Sequence, residues 1–185
     1  MVEEVIYGQM IDIYFSNDKT SRTATDIATK DHLKSGQYTF QKPMLFWASL
    51  AGASDETLTQ IARIGKKIGI AFQMRDDVLD RVEDDEGKTK LSDIQEWNQT
   101  VVMTMFAQAM SEEAFAQFDI YRWKELSDDE KIYVAEQFAK YDIYSLAAGK
   151  VNTLLDEVEE MFGEMTWLDD EYREYFVGIC GMLRL

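Results

Sequence analysis

A single proline, Pro43, interrupts 185 residues. Proline is the strongest breaker of a helix interior, so its near absence leaves long uninterrupted stretches. Those stretches are rich in Ala, Leu, Met, Glu, Lys and Gln, the residues that lose least on entering a helix. No stretch alternates apolar and polar residues over enough length to build a sheet. The chain is therefore expected to be all-α. Its 46% hydrophobic residues are enough to fill a core, and no linker or repeat divides it. We expect one domain over residues 1–185.

Charge narrows the partners. The formal net charge is −16, which repels nucleic acid and anionic membranes alike. Cys180 is the one cysteine, so no internal disulfide can form, and a buried apolar role fits it. No apolar run is long enough to span a bilayer and no signal peptide is visible, so a cytoplasmic protein is expected.

Local signals place the helices. Val2 to Tyr14 reads as an amphipathic helix with Val2, Val5, Ile6, Met10 and Ile13 near one face. Thr25 reads as the N-cap of a short helix through Lys34, with Gly36 just beyond it. Tyr38 to Ala53 reads as a buried helix with Pro43 in its first turns or kinking it. Ser54 caps a long helix from about Glu56 to Val82, and a charged loop follows from Glu83 to Lys90. Ser92 with Gln95 forms a capping-box pattern for a helix to about Met110, and Ser127 with Glu130 forms another for a helix to about Tyr141. Further helices are expected near Ile143–Phe162 and, after a Thr166/Asp169 box, Leu168–Leu183.

The chemistry lies on the long helix. Gln73, Asp76, Asp77 and Asp80 are three, four and seven residues apart, so they share one face. Three carboxylates on one face repel one another, and they sit far from the helix N-terminus that would favour them. A bound cation reverses that cost. Mg²⁺ fits, because it takes oxygen ligands, keeps several waters, and shares one or two carboxylates with substrate phosphates. Acidic stripes are also ordinary on solvated helices, and spacing alone leaves that reading open. The apolar residues on the other faces, Ile64, Ile68, Ala71, Val78 and Leu79, favour a buried helix whose acids face a cavity. Lys34 and Lys88 stand at helix boundaries beside small residues, where an ammonium can reach a phosphate.

Four segments, in order, resemble the trans-isoprenyl diphosphate synthases. Gly8-Gln9-Met10-Ile11-Asp12 is similar to that family's Gly-Gln-x-x-Asp helix. Lys34-Ser35-Gly36, with the aromatic stretch and Pro43 after it, resembles its Lys-Thr-(Ala/Gly) segment. Phe72-Gln73-Met74-Arg75-Asp76-Asp77-Val78-Leu79-Asp80 resembles its second aspartate-rich motif. Gly87-Lys88 followed by Asp93-Ile94 resembles the loop beyond it. The resemblance implies an isoprenoid synthase-type helical bundle, incomplete here, with the C-terminal helices only. It implies a head-to-tail condensation of an allylic diphosphate with isopentenyl diphosphate, dependent on Mg²⁺. By it, Asp76, Asp77 and Asp80 bind the metal, with Asp12 supporting them at second hand. Lys34, Lys88 and Gln9 hold the diphosphate, and Lys34, Ser35 and Gln73 are the catalytic candidates.

Two departures qualify what the resemblance implies. The family's first aspartate-rich motif is absent, and with it the other metal-binding wall. Asn98 stands where the family carries a lysine. The activity is therefore expected to need an N-terminal half or partner subunit, or a homo-oligomer. The alternative is a non-catalytic regulatory or partner subunit of a prenyl diphosphate synthase. A bundle lacking half its helices also exposes apolar surface, so self-association or dependence on a partner is expected.

Overall fold

A computed structural model describes residues 2–18, 22–80, 91–96, 98–121 and 124–185. Among the described residues there is no strand, and the chain is an all-α bundle. No described helix is long and apolar enough to cross a membrane.

The axis of the bundle is α4, Asp55–Leu79. The Ser54 hydroxyl accepts from the Thr57 amide at 3.2 Å and so starts it, with Asp55 and Glu56 in the favourable first turn. Its buried residues, Ile61, Ile64, Ile68, Ala71, Met74 and Val78, recur every three or four positions and form one stripe. That stripe packs on α9 (Ile143–Glu164), through Val151, Leu155, Val158 and Phe162, and the cluster extends to Cys180 and Leu183 of α10 (Asp170–Leu183). Cys180 is buried as expected, and burial first pushes its thiol up to about 11, so it stays an inert apolar filler.

A second cluster lies under the far end of α4. Phe106 of α6 (Val101–Ala109) stacks on Phe138 of α8 (Asp128–Lys140), with ring centroids 4.1 Å apart. Phe118 of α7 (Glu112–Phe118) meets the same ring edge-on at 4.8 Å. Val78, Leu91 and Ile94 belong to this cluster, so it supports the C-terminal end of α4 directly. The Ser127/Glu130 capping box forms in full at the start of α8.

Several sequence expectations are corrected. The first short helix, α2 (Ala24–Asp31), is capped by Thr23 and not Thr25, because Asp26 completes a reciprocal box with Thr23. It does not stop near Gly36. It runs without a break into a π-helix, His32–Gln41, and then into α3, Lys42–Leu50, with Pro43 in the first turn. The helix expected from Ser92 to Met110 is two. α5 (Ser92–Gln95) is a single turn, and α6 starts afresh where the Thr100 hydroxyl accepts from the Met103 amide. The Thr166/Asp169 box is absent, since Asp169 caps α10 without a side-chain bond. The Glu83–Lys90 loop, with Lys88, lies outside the described residues.

The apolar faces also differ. On α1 (Val2–Asn17) the buried residues are Gly8 and Asp12, while Ile6, Met10 and Ile13 are more than half exposed. On α3 nothing is buried, and Phe46, Trp47 and Leu50 face outward. Periodicity predicts which residues share a face, but another element must be present to cover it.

Candidate functional site

The π-helix is held between α1 and α4 by three backbone-scale contacts. A Cβ on Gly8 would lie 2.4 Å from the Lys34 amide nitrogen. A Cβ on Gly69 would lie 2.7 Å from Gly36 Cα, and one on Gly65 2.6 Å from Gln41 Cα. Gly65 and Gly69 are four apart, so they form one bare strip on α4. Here glycine serves close approach and not a turn. The consequence is placement: Lys34 is pressed between α1 and α4 at the height of the carboxylates.

A cleft of about 300 Å³ opens there, lined by Lys34, Gln73, Asp76, Asp77, Leu79, Asp80, Ser92 and Asp93. The four residues expected to share the α4 face do share it. Their surroundings differ. Asp76 is exposed, Asp80 is half-buried, and Asp77 is 8% exposed. Asp77 follows Met74 by three residues and so continues the core stripe, which explains its burial. Gln73 Nε2 donates to Asp77 Oδ1 at 3.2 Å, while Asp77 Oδ2 is buried without a hydrogen-bond partner. Burial pushes the Asp77 carboxyl well above the usual carboxylate range, and Asp93 and Asp31 add to the effect.

Asp80 anchors the far wall. Its backbone carbonyl accepts from the Leu91 amide at 3.2 Å, and its Oδ1 and Oδ2 accept from Ser92 Oγ at 2.6 Å and the Asp93 amide at 3.2 Å. These bonds hold Leu91 in the left-handed region, φ 47°, a conformation that costs roughly 1–2 kcal/mol outside glycine. The result brings Asp93 back against the acids of α4. Burial, and then Asp80, push its carboxyl up to about 7. Asn98 Nδ2 donates to Asp93 Oδ1 at 3.1 Å, so the residue at the expected lysine position steadies this acid without carrying charge.

Asp12 stands behind the cleft, bonded to its lysine. Its Oδ1 accepts from Lys30 Nζ at 3.0 Å and its Oδ2 from Lys34 Nζ at 2.6 Å. Burial pushes its carboxyl up, but the two ammonium groups outweigh burial and hold it below the usual range. Its contacts are with lysines and not with the acids of α4. Gln9 is exposed on α1 and does not line the cleft. Ser35 is half-buried in the π-helix, beside the cleft-lining Lys34. Sequence reading missed Ser92 and Asp93 as cleft residues; the Asp93-Ile94 pair after Gly87-Lys88 was the available signal.

The donor set is all oxygen, with one orphaned carboxylate oxygen at its buried end. That suits Mg²⁺, which is reluctant to shed its waters and usually shares a few carboxylates with phosphate oxygens. Among the described residues no three acids converge closely enough to hold a cation unaided. The fit is therefore to a cation that arrives with water and a phosphate ligand.

Burial of these acids has a measurable consequence. The folded chain keeps a proton on Asp93 that the unfolded chain releases near pH 4. Each pH unit between about 4 and 7 then costs the fold up to about 1.4 kcal/mol, and the loss levels off above 7. In metal-free buffer, the melting temperature of the wild type should fall relative to Asp93→Asn across that window. Parallel profiles would contradict the raised carboxyl.

A family model described as Polyprenyl synthetase matches residues 1–138. This chain belongs to the polyprenyl synthetase family. Among curated relatives of that family, a geranylfarnesyl diphosphate synthase of Natronomonas pharaonis is 33% identical over 107 residues, covering 54% of this chain and 29% of that protein. A geranylgeranyl diphosphate synthase of Methanosarcina mazei is 33% identical over 102 residues, 54% of this chain and 31% of its own length. Among solved structures, the geranylgeranyl pyrophosphate synthase of Corynebacterium glutamicum, complexed with isoprenyl diphosphate and magnesium, superposes with a TM-score of 0.87 at 26% identity. That match takes in 99% of this chain and 52% of the other. This polyprenyl synthetase chain thus spans about half the length of that solved structure, and the matched stretches take in less than a third of the two curated relatives.

Proposed function

We propose that the cleft holds a diphosphate with Mg²⁺, and that the chain is the diphosphate-binding part of a trans-isoprenyl diphosphate synthase acting in the cytoplasm. The reaction is the condensation of an allylic diphosphate with isopentenyl diphosphate. The observation that carries this reading is the meeting of Lys34, Gln73, Asp76, Asp77, Asp80 and Asp93, from three separate stretches, around one cleft. Mg²⁺, when bound, would offset the negative charge that builds on the departing diphosphate.

The chain's own residues do the rest. Asp76, Asp77 and Asp80 offer oxygens from α4, and Asp93 offers a fourth from the facing turn. Lys34 turns its ammonium from Asp12 to a phosphate oxygen. Gln73, already bonded to Asp77, fixes that carboxylate and presents its amide to the cleft beside the reacting carbon. Ser35 lies next to Lys34 on the same wall. Lys88, which lies outside the described residues, is a second cation for the phosphate. Gln9 reaches the ligand only if its side chain swings in from the surface. The remaining helices of the fold, on this polypeptide or on another, or a second copy, cover the outward faces of α1 and α3.

A second reading, a non-catalytic partner subunit, has one observation in its favour: Asn98 and not a cation stands against Asp93. One experiment separates the two. The chain is combined with the complementary half of a prenyl synthase, Mg²⁺, an allylic diphosphate and labelled isopentenyl diphosphate. Asp76→Ala and Asp80→Ala are each expected to lower labelled product on the order of a hundredfold. Unchanged product formation with both variants would establish the subunit reading, and no product with any complement would sink the enzymatic one.

A further inference from the structure

Lys30 is the least expected residue near the cleft. It lies on α2 and is 3% exposed, among buried acids. Taking an ammonium out of water costs several kcal/mol before its partners repay it. Its Nζ donates to Asp12 Oδ1 at 3.0 Å and to the Gln99 carbonyl at 3.1 Å, and it forms an ion pair with Asp31 Oδ1 at 2.9 Å. Burial pulls its pKa down, but Asp31 and Asp12 outweigh that, so it stays charged. An ammonium buried this deeply among three oxygens is out of a ligand's reach. It can only hold other groups in place.

The groups it holds are the supports of the cleft. Asp12 divides its oxygens, Oδ1 inward to Lys30 and Oδ2 outward to Lys34. Lys34 is 37% exposed and lines the cleft, so Asp12 forms the joint between a buried cation and a cleft cation. On the other side, the Gln99 carbonyl adjoins Asn98, which steadies Asp93. We propose that Lys30 is a positioning residue for diphosphate recognition: by pinning Asp12 Oδ1 it directs Lys34 into the cleft. The proposal rests on the diphosphate reading of the cleft. Without Lys30, the Asp12 carboxylate can turn both oxygens onto Lys34 and draw that ammonium away from the ligand.

The test is a double-mutant cycle on the full chain, read by calorimetric titration with inorganic diphosphate in excess Mg²⁺. Wild type, Lys30→Met, Lys34→Met and the double variant are compared. Lys30→Met is expected to weaken binding about tenfold when Lys34 is present, and less than twofold when residue 34 is already methionine. A residue that merely supports the fold lowers the melting temperature but gives the same fold-change in both backgrounds, and that additive result would overturn the proposal. Because Lys30→Met leaves Asp31 buried beside the gap, Lys30→Met/Asp31→Asn serves as a charge-balanced variant. It should show the same tenfold loss, and wild-type affinity in it would also overturn the proposal. A wild-type chain that takes up no Mg²⁺-diphosphate would overturn the cleft reading itself, and the role of Lys30 with it.

Discussion

Replacing Gly8 by alanine is expected to detach α1 from the bundle. The added Cβ would sit 2.4 Å from the Lys34 amide nitrogen and 2.6 Å from its Cα. Both are backbone atoms in the middle of a helix and cannot rotate aside. The two helices must part by about 1 Å, and overpacking of this kind costs roughly 1–3 kcal/mol, at times more. The buried residues of α1 are Gly8 and Asp12, so polar contacts and not a buried apolar face carry the rest of its docking. Separation also stretches the 2.6 Å contact of Asp12 with Lys34. For a chain of this size the stability loss corresponds to a fall in melting temperature of about 2–12 °C. Mg²⁺-diphosphate affinity should fall with it, about tenfold. Gly149 in α9 provides the control, since a Cβ there meets nothing. Gly149→Ala should leave stability unchanged or raise it by up to about 1 kcal/mol from helix propensity. Equal melting temperatures for Gly8→Ala and wild type would show that the contact is not made.

The second large effect has two signs. Asp77→Asn should stabilise the metal-free chain and at the same time weaken Mg²⁺-dependent diphosphate binding. Asp77 is buried, one of its oxygens has no hydrogen-bond partner, and burial pushes its carboxyl well above the usual range. An asparagine keeps the shape and keeps an acceptor for Gln73 Nε2. It removes the charge that the fold has to desolvate. At pH 8 the variant should melt several degrees higher, since each kcal/mol is worth about 2–4 °C at this size. The advantage should shrink as the pH falls and vanish below about 4, where the wild-type carboxyl is protonated in both folded and unfolded chains. Binding should move the other way, by on the order of a hundredfold, because a neutral amide oxygen is a poor substitute beside a divalent cation. A stabilised variant that still bound Mg²⁺-diphosphate normally would remove Asp77 from the metal site. Such a trade of stability for function is common where a buried charge serves a ligand.

The parts of this molecule legible from sequence are those set by neighbours along the chain. The start of α4 followed from Ser54 and its first-turn acids, and the common face of Gln73, Asp76, Asp77 and Asp80 from helical spacing. The start of α8 followed from Ser127 and Glu130. The illegible parts depend on distant residues. Apolar spacing on α1 and α3 gives faces but not what covers them, so Phe46 and Trp47 are outward although their pattern reads as core. Asp93 enters the cleft because Asp80 meets residues 91–93 with three hydrogen bonds, and the Asp93-Ile94 pair marks the residue without showing where it goes. Gly36 looks like a helix stop because glycine often is one. Its actual partner, Gly69, lies 33 residues further on. The two lysines on Asp12 lie 18 and 22 residues away in the chain, and no local pattern joins them to it.

The winding of residues 32–41 carries one more implication. Gly36 meets Gly69 near the middle of this wide turn, and Gln41 meets Gly65 at its end, where its Nε2 donates to the Ala62 carbonyl at 2.9 Å. An α-helix turns about 100° per residue and a π-helix somewhat less, so gaining or losing one residue here with the winding kept would swing everything downstream by close to that angle. Only one of the two glycine contacts could then survive. Natural variants of this protein should tolerate exchanges in that stretch far better than insertions or deletions, because its length in residues sets the angular phase between Lys34 and the rest of the bundle.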